Sequence, residues 1–297
     1  MASEDQEREE APLGDLSRRD LVALSVAAGL AVGGAASAAE GSVVEKDVEI
    51  KTPDGACDAA FIHPATGSHP GVLIWPDAFG LRPALRDMGK RLAAEGYSVV
   101  IPNPYYRAGK ADTLGMSTKT FSFQNQDDMA KLRKLMGGLS APGAAEKDAT
   151  AFVAFLDAQK AVNAKKKIGT QGYCMGGPLV FKTAAALPNR IGAAGSFHGG
   201  GLVTDQPSSP HLLVPKMKAH FYIGIASNDD MRQPDAKDKL REAFDAAKVP
   251  AEIEVYQSQH GWCMPDMPAS PDKPIYNKAD AEKAWSKLLA LYKANLT

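Results

Sequence analysis

The sequence predicts an α/β domain in which a mostly parallel sheet is covered by helices on both faces. Short apolar runs alternate along the chain with amphipathic stretches of helical spacing. Strands and helices that alternate in this way indicate parallel strands joined by crossover helices. The chain has 297 residues, of which 44% are hydrophobic, and this is enough to bury one sizeable core.

The first half of the chain begins with a predicted hairpin around a Thr-Pro-Asp-Gly turn at 52–55. Two buried strands follow, with an amphipathic helix between them that Gly96 should end. A long polar stretch then runs over 107–126. The predicted elements are strands over 43–50, 57–64, 69–77 and 97–104, and helices over 82–95, 127–138 and 144–162.

The second half predicts a strand that enters a glycine-rich turn at 172–177, with a helix directly after it. Three further strands end in polar residues, and two amphipathic helices separate or follow them. These elements are strands over 191–200, 220–229 and 251–261, and helices over 178–187, 235–248 and 277–295. Because no repeat or linker interrupts the pattern, one domain over residues 39–297 is expected.

The first 38 residues differ from the rest and predict an export signal. Arg18 and Arg19 precede the Gly/Ala-rich apolar run Leu21–Ala38, and a small-residue exit site follows at 36–38. The arginine pair resembles a twin-arginine signal. We therefore expect a cleaved signal, a periplasmic or secreted protein and no stable membrane anchor. The alternative is a cytoplasmic protein whose acidic tail leads to a buried Ala-rich helix.

Composition excludes several other classes. The 34 Lys and Arg residues balance 35 Asp and Glu residues, and no basic run suggests nucleic-acid binding. Three cysteines, Cys57, Cys174 and Cys263, are too few for a disulfide framework, although a Cys57–Cys263 bridge is possible in an exported protein. No metal constellation or cofactor motif is present, so we expect neither. The expected partner is a small molecule, and no pattern predicts the oligomeric state.

The segment Gly172-Tyr173-Cys174-Met175-Gly176 carries the chemistry. It has the G-x-S-x-G pattern of a nucleophile elbow, with cysteine in place of serine. Small neighbours let the backbone turn sharply from strand to helix, and this turn raises the nucleophile above the sheet. The N-terminus of the following helix favours an anion at that place. The alternative is a buried structural cysteine in a glycine-rich turn.

Chain order supports the catalytic interpretation, because such folds supply nucleophile, acid and histidine in that order. After Cys174, one strand runs to Asp229 and Asp230, and the last strand runs to His260. Asp229 is the preferred acid and Asp230 is the alternative. The other histidines precede the elbow, lie in a loop, open a strand or have the wrong order relative to the acid. They are His63, His69, His211, His220 and His198.

Several segments, in order, resemble the dienelactone hydrolase family of α/β-hydrolases. They are residues 75–107, Gly172–Gly177 (GYCMGG), 226–229 and 260–262 (HGW), and the resemblance spans most of 43–295. It implies an α/β-hydrolase fold and cleavage of a lactone or activated ester. Cys174 would be the nucleophile, His260 the general base and acid, and Asp229 the orienting acid. Family members carry an acid after the third strand that contacts the resting thiol, and Asp77 occupies that place.

Chemistry suggests how such a site would work. His260 would take the thiol proton, and the thiolate would attack a carbonyl and form a thioester. The backbone N–H groups of Ala78 and Met175 would hold the oxyanion. The alternatives are a non-catalytic binding protein on the same fold, a redox thiol protein, and a carboxylesterase or thioesterase of unknown substrate. No Cys-x-x-Cys motif supports redox chemistry.

The resemblance also suggests substrate-binding residues. Family members hold the substrate carboxylate with two arginines, and Tyr106 and Arg107 lie in the segment that supplies one of them. Arginine suits this task because it binds a carboxylate bidentately. At the place of the second arginine, Trp262 and Met264 would form an apolar wall. We therefore expect a substrate that is neutral or more apolar than the dienelactone.

Overall fold

Eight strands account for all the predicted strand segments. The computed structural model describes residues 42–267 and 274–296, so the predicted export signal lies outside the described residues and stays a prediction. The strands are β1 (Val43–Thr52), β2 (Gly55–Pro64), β3 (Gly71–Trp75), β4 (Ser98–Pro102), β5 (Ile168–Tyr173), β6 (Ile191–Phe197), β7 (His220–Ala226) and β8 (Ala251–Tyr256).

Helices follow most of the strands. The α-helices are α1 (Pro83–Ala94), α2 (Gln126–Ser140), α3 (Ala144–Asp157), α4 (Gly176–Ala186), α5 (Ser227–Arg232), α6 (Ala236–Ala247) and α7 (Lys278–Asn295). Short 3₁₀ helices lie at Ala111–Thr113 and Pro210–Lys216. In the described part of the chain, no helix combines the length and the apolar character needed to cross a membrane.

All eight strands belong to one sheet, in the order β1-β2-β4-β3-β5-β6-β7-β8. The pairs β1–β2 and β2–β4 are antiparallel, whereas the pairs from β4 onward are parallel. The prediction of a mostly parallel sheet is confirmed. Because the parallel strands share one direction, their carboxyl ends form a single edge at which catalytic side chains can meet.

The sheet has a hydrophobic core on each face. Along β3, Leu73 and Trp75 join a core that includes side chains of α3, α4 and α6. Their neighbours Val72 and Ile74 point the other way and pack with side chains of α1 and α7. Alternate residues of a strand face opposite sides of its sheet, which explains this division. Helices therefore cover both faces, as the sequence predicts.

Some predicted boundaries were wrong. The helix predicted over 144–162 ends at Asp157, because the chain beyond it hydrogen-bonds to His69: the His69 amide donates to Ala161, and the Asn163 amide donates to His69. The strand predicted over 220–229 ends at Ala226, and its polar end is the first turn of α5. The strand predicted over 251–261 ends at Tyr256, so His260 lies in a turn beyond it.

The possible Cys57–Cys263 disulfide is not formed. Both residues are free, buried thiols. Cys57 belongs to the core on one face of the sheet, and Cys263 belongs to the core on the other face. The sheet therefore separates the two sulfur atoms.

Candidate active site

Cys174 lies on the turn between β5 and α4, as the elbow motif predicts. Its φ angle is 51°, a left-handed conformation that is costly for any residue other than glycine. A Cβ atom on Gly172 would lie 2.2 Å from the Gly176 carbonyl oxygen, and one on Gly176 would lie 2.4 Å from the Trp75 carbonyl oxygen. Both glycines are therefore required by close backbone approach. The thiol is raised at the carboxyl edge of the sheet and is partly exposed.

His260 and Asp229 are brought together from the segments that follow two different strands, β8 and β7. His260 Nδ1 lies 2.5 Å from Asp229 Oδ2, and the His260 amide donates to Asn228 Oδ1 over 2.8 Å. Asp229 is in the first turn of α5, directly after β7. The alternative acid, Asp230, instead accepts from Lys237 Nζ at 2.8 Å. The structure thus pairs the histidine with the preferred acid of the two.

The charge of His260 depends on its two neighbours. Burial alone would lower the pKa of the imidazole, because it removes water from the charged form. Hydrogen bonding to Asp229 and to Cys174, together with electrostatic interaction with these groups, outweighs burial and raises the pKa to about 10. His260 therefore links the carboxylate on one side to the thiol on the other.

His198 is a neighbour of this group that the sequence analysis set aside. Its Nδ1 accepts a hydrogen bond from the Cys174 amide at 3.1 Å, and its ring centroid lies 5.1 Å from that of His260. Burial and the nearby charge of His260 hold the pKa of His198 well below its usual value. The residue is a neutral acceptor that supports the elbow backbone. The sequence signal for it was its place at the end of β6, before the glycines at 199–201.

The two predicted oxyanion-hole residues face one pocket. Ala78, Cys174 and Met175 all line it. Within the described residues, neither the Ala78 amide nor the Met175 amide donates a backbone or side-chain hydrogen bond outside regular helix or strand pairing. Both are therefore available to a ligand oxygen. An oxyanion hole needs this combination of two unengaged donors beside the nucleophile.

Asp77 does not take its predicted place against the thiol. Its two carboxylate oxygens accept from Arg82 at 2.6 and 2.9 Å, and Oδ1 also accepts from the Phe79 amide at 2.9 Å. No hydrogen bond among the described residues joins Asp77 to Cys174. Arg82 in turn donates to Asp266 at 2.8 and 2.9 Å. Asp77 therefore serves the loop after β3, and Arg82 connects this loop to the chain that follows His260.

Comparisons with known proteins show the family to which the chain belongs. The model of the dienelactone hydrolase family matches residues 57–296. The chain belongs to this family. It is therefore a hydrolase that acts on ester or lactone bonds. A carboxymethylenebutenolidase of Rhodococcus opacus is 26% identical over 250 residues, which cover 83% of this chain and 90% of that protein.

Solved structures of the dienelactone hydrolase family share the fold. A dienelactone hydrolase-like promiscuous phosphotriesterase, P91, from metagenomic libraries is 19% identical, with a TM-score of 0.69 over 86% of this chain and 100% of that one. A dienelactone hydrolase from Anabaena variabilis is 14% identical, with a TM-score of 0.56 over 86% and 99%. The α/β-hydrolase fold expected from the sequence is thus confirmed.

The pocket above Cys174 has a volume of about 420 Å³. Helix α2 forms one wall of it, and the first turns of α4 form another. Most of its side chains are apolar, and Lys182 is the one cation that lines it among the described residues. Besides Ala78, Cys174 and Met175, the lining residues are Phe123, Leu132, Met136, Leu139, Ser140, Pro178, Leu179, Lys182 and Gly200.

Trp262 and Met264 do not form the predicted apolar wall. Both are fully buried. Trp262 stacks on Tyr256, with ring centroids 4.7 Å apart, and meets His198 edge-on at 5.0 Å. The positive φ of 99° at Gly261 accompanies this inward turn of the chain. The apolar wall of the pocket comes instead from α2, a segment that the sequence analysis did not assign to the site.

Arg107 and Tyr106 also lie outside the pocket lining. The Arg107 guanidinium donates twice to Asp148, at 2.8 Å each, and twice to Asp54, at 2.6 and 3.1 Å. The Tyr106 hydroxyl lies 2.8 Å from Asp148 Oδ1 and 2.7 Å from Thr52 Oγ1. This geometry argues against the predicted role of Arg107 as an anchor for a substrate carboxylate, because carboxylates of the protein already occupy its donors.

Proposed function

We propose that the protein hydrolyses a lactone or an activated carboxylic ester through a thioester on Cys174, with His260 as general base and acid and Asp229 as the orienting acid. The observation that carries the proposal is the 2.5 Å contact between His260 Nδ1 and Asp229 Oδ2, at the edge of the sheet where the turn after β5 presents Cys174. These are the three roles that nucleophilic acyl transfer requires.

Acylation begins when the Cys174 thiol gives its proton to His260. The raised pKa of His260 favours this imidazolium at neutral pH. Sγ attacks the carbonyl carbon, and the carbonyl electron pair moves to oxygen, where the Ala78 and Met175 amides stabilise the oxyanion. When the carbonyl re-forms, the bond to the leaving oxygen breaks, and that oxygen takes the proton from His260. The products are a thioester and an alcohol or enol.

Deacylation repeats these steps with water. His260 removes a proton from the water as its oxygen attacks the thioester carbon, and the same amides hold the second oxyanion. The carbon–sulfur bond then breaks and the leaving sulfur takes the proton back from His260, which releases the carboxylic acid and restores the thiol and the imidazole. Asp229 keeps Nδ1 of His260 protonated, so that the other ring nitrogen faces the reacting atoms.

The thiol limits the choice of substrate. Thiolate is a good leaving group, so a tetrahedral intermediate with a poor leaving group would expel sulfur and return to substrate. Enol lactones and activated esters avoid this reversal because their oxygen leaves at least as well. The largely apolar pocket supports a substrate that is neutral near the reacting carbonyl.

A comparison of two cysteine variants tests the proposal. Cys174→Ala should abolish hydrolysis of a neutral aryl ester, whereas Cys57→Ala, which removes a buried thiol that does not line the pocket, should keep it. Rapid-quench mass spectrometry should show an acyl adduct on wild-type protein that hydroxylamine removes and that Cys174→Ala lacks. Equal turnover by Cys174→Ala and wild type would remove Cys174 from the chemistry. No turnover of any aryl ester or lactone by the wild type would instead favour a binding protein.

A further inference from the structure

Tyr105 contacts both residues whose amides line the proposed oxyanion hole. Its hydroxyl oxygen lies 2.9 Å from the Ala78 carbonyl oxygen and 3.2 Å from Met175 Sδ. The side chain is almost fully buried, in a small apolar cluster between the loop after β3 and helix α2. The Tyr105 side chain thus connects the loop after β3 to the turn after β5 that carries the nucleophile.

The hydroxyl completes a set of hydrogen bonds that fixes the loop after β3. The peptide between Ala78 and Phe79 is held at both ends, because its carbonyl oxygen meets Tyr105 and its N–H donates to Asp77 Oδ1 at 2.9 Å. The Asp77 carbonyl accepts from the Gly80 amide at 3.0 Å. Since a peptide group is planar and trans, the Asp77 carbonyl sets the direction of the Ala78 N–H in the same peptide, and Tyr105 holds the next peptide, on the other side of the Ala78 Cα atom.

We propose that Tyr105 is a positioning residue, which aims the Ala78 N–H and the Met175 turn at the oxyanion of the transition state. This inference rests on the proposed function, because it needs an oxyanion at that place. The hydroxyl touches neither the substrate nor the reacting atoms. It acts by restricting two backbone donors to the geometry in which they stabilise developing charge.

The surroundings of Tyr105 keep its hydroxyl available as a donor. Burial, followed by the negative charges of Asp77 and Cys174, raises the pKa of the phenol far above its usual value. The phenol therefore stays neutral when the thiol is ionised. Without it, the Ala78 carbonyl would lose its only side-chain partner among the described residues.

The test compares two adjacent tyrosines. Tyr105→Phe removes the hydroxyl beside the oxyanion hole. Tyr106→Phe removes a hydroxyl that is also hydrogen-bonded and buried, but that contacts Thr52 and Asp148 instead. Tyr105→Phe should lower kcat for a neutral aryl ester by roughly 10- to 100-fold, less than loss of a whole oxyanion donor, and leave KM within about twofold. Tyr106→Phe should keep kcat within about twofold.

Two inhibitors separate positioning from general damage to the site. An aryl trifluoromethyl ketone forms a tetrahedral adduct with a thiolate, and its oxyanion needs the hole. Its affinity should fall in Tyr105→Phe by the same factor as kcat/KM. Iodoacetamide alkylates a thiolate without forming an oxyanion, so its rate should not change. If Tyr105→Phe melts below the assay temperature, both variants are compared at a lower temperature at which they are folded.

The outcomes distinguish this inference from the proposed function. Turnover by Cys174→Ala would overturn the proposed function and the inference with it. If turnover depends on Cys174 but Tyr105→Phe keeps the wild-type kcat and ketone affinity, the proposed function stands and the inference about Tyr105 is overturned. Equal losses in both inhibitor reactions, or equal losses of kcat in the two tyrosine variants, would show a structural role and would also overturn it.

Discussion

Two partly buried networks of arginine and aspartate lie near the carboxyl edge of the sheet, and only one of them adjoins the site. The site network is Arg82, Asp77 and Asp266, and the distal network is Arg107, Asp148 and Asp54. In each, a guanidinium joins a carboxylate whose side chain is at most 2% exposed to one that is 33% or 40% exposed. Each network also has a buried tyrosine beside it, Tyr105 or Tyr106.

The difference between the networks is in what they connect. The site network joins the loop that carries the Ala78 amide to the chain that follows His260. The distal network joins the hairpin turn after β1 to the segment after β4 and to helix α3. The same charge chemistry thus holds catalytic loops in one place and the frame of the domain in the other. An arginine in a family-like motif is therefore insufficient evidence for a substrate anchor.

The largest expected effect tests whether His260, which lies next to the site network, is the general base. His260→Ala should lower kcat for an aryl ester by roughly 10²–10⁴, the usual contribution of a positioned general base. The control is His211→Ala, which removes a histidine that contacts Ser209 and lies outside the pocket lining. A loss below threefold would mean that another group acts as the base, and the neighbouring His198 would be examined next.

The second prediction changes the two arginines in parallel. Arg82→Met and Arg107→Met each leave a buried carboxylate without its main partner, which costs about 3–5 kcal/mol of unfolding free energy for a fully buried pair. The loss should be smaller for Arg107, whose side chain is 18% exposed against 8% for Arg82. Urea unfolding measures both losses.

Activity then separates the two arginine variants. Measured well below the unfolding midpoint, kcat should fall about tenfold or more in Arg82→Met, because the loop with the Ala78 amide loses its support. It should stay within about twofold of wild type in Arg107→Met. Equal losses of kcat would show that the networks do not differ in function, and a loss confined to Arg107→Met would reverse the comparison.

The third prediction concerns the protonation of His260. Its folded-state pKa of about 10 lies above the usual 6.5. Protonation therefore stabilises the folded state fully below pH 6.5, and this contribution is lost as the pH rises through about 10. Cys174→Ala should move the pKa of His260 downward, because hydrogen bonding and electrostatic interaction with Cys174 both raise it.

Nuclear magnetic resonance of ring-labelled histidine measures this pKa directly. Cys57→Ala is the matched control and should leave the titration of His260 unchanged, since Cys57 lies in the core on the α3 side of the sheet. A pKa near 6.5 in wild type, or the same pKa in wild type and Cys174→Ala, would contradict the coupling between thiol and imidazole.

Local patterns explain what the sequence could predict. The elbow could be recognised because close backbone approach forbids a side chain at Gly172, which meets Gly176, and at Gly176, which meets Trp75 on the neighbouring strand, and these constraints leave two glycines at a fixed spacing. Apolar runs predicted the strands because these strands are buried on both faces. Their carboxyl ends then had to meet at one edge, which is why the sequence could place His260 and an acid after β7 at the edge where Cys174 lies.

Contacts between distant segments explain what the sequence could not predict. Asp229 and Asp230 are adjacent acids on one helix turn, and only the packing of α5 decides which one meets His260. The partners of Arg82 and Arg107 include residues 184 and 41 positions away in the chain. No local pattern records such pairings. The same holds for Trp262, which turns into the core although its neighbour His260 faces the site.

The smallest expected effect concerns substrate charge. It tests whether the distal network, and Arg107 in particular, has no part in binding the substrate. The matched substrates are 4-carboxymethylenebutenolide and its methyl ester, which share the reacting lactone and differ in one charge. Without a guanidinium for the carboxylate, the acid loses a contact of about 1.5–3 kcal/mol, or about tenfold to a hundredfold in affinity. The apolar pocket should therefore give the methyl ester the higher kcat/KM, by about tenfold, when lactone opening is followed by ultraviolet absorbance.

Arg107→Met should leave this ratio of kcat/KM values unchanged, because Asp148 and Asp54 already occupy the guanidinium. Lys182→Gln should raise the ratio if the lysine at the pocket attracts the acid. A preference for the acid that disappears in Arg107→Met would show that a substrate carboxylate can displace those aspartates, and would make Arg107 the anchor that its motif suggested.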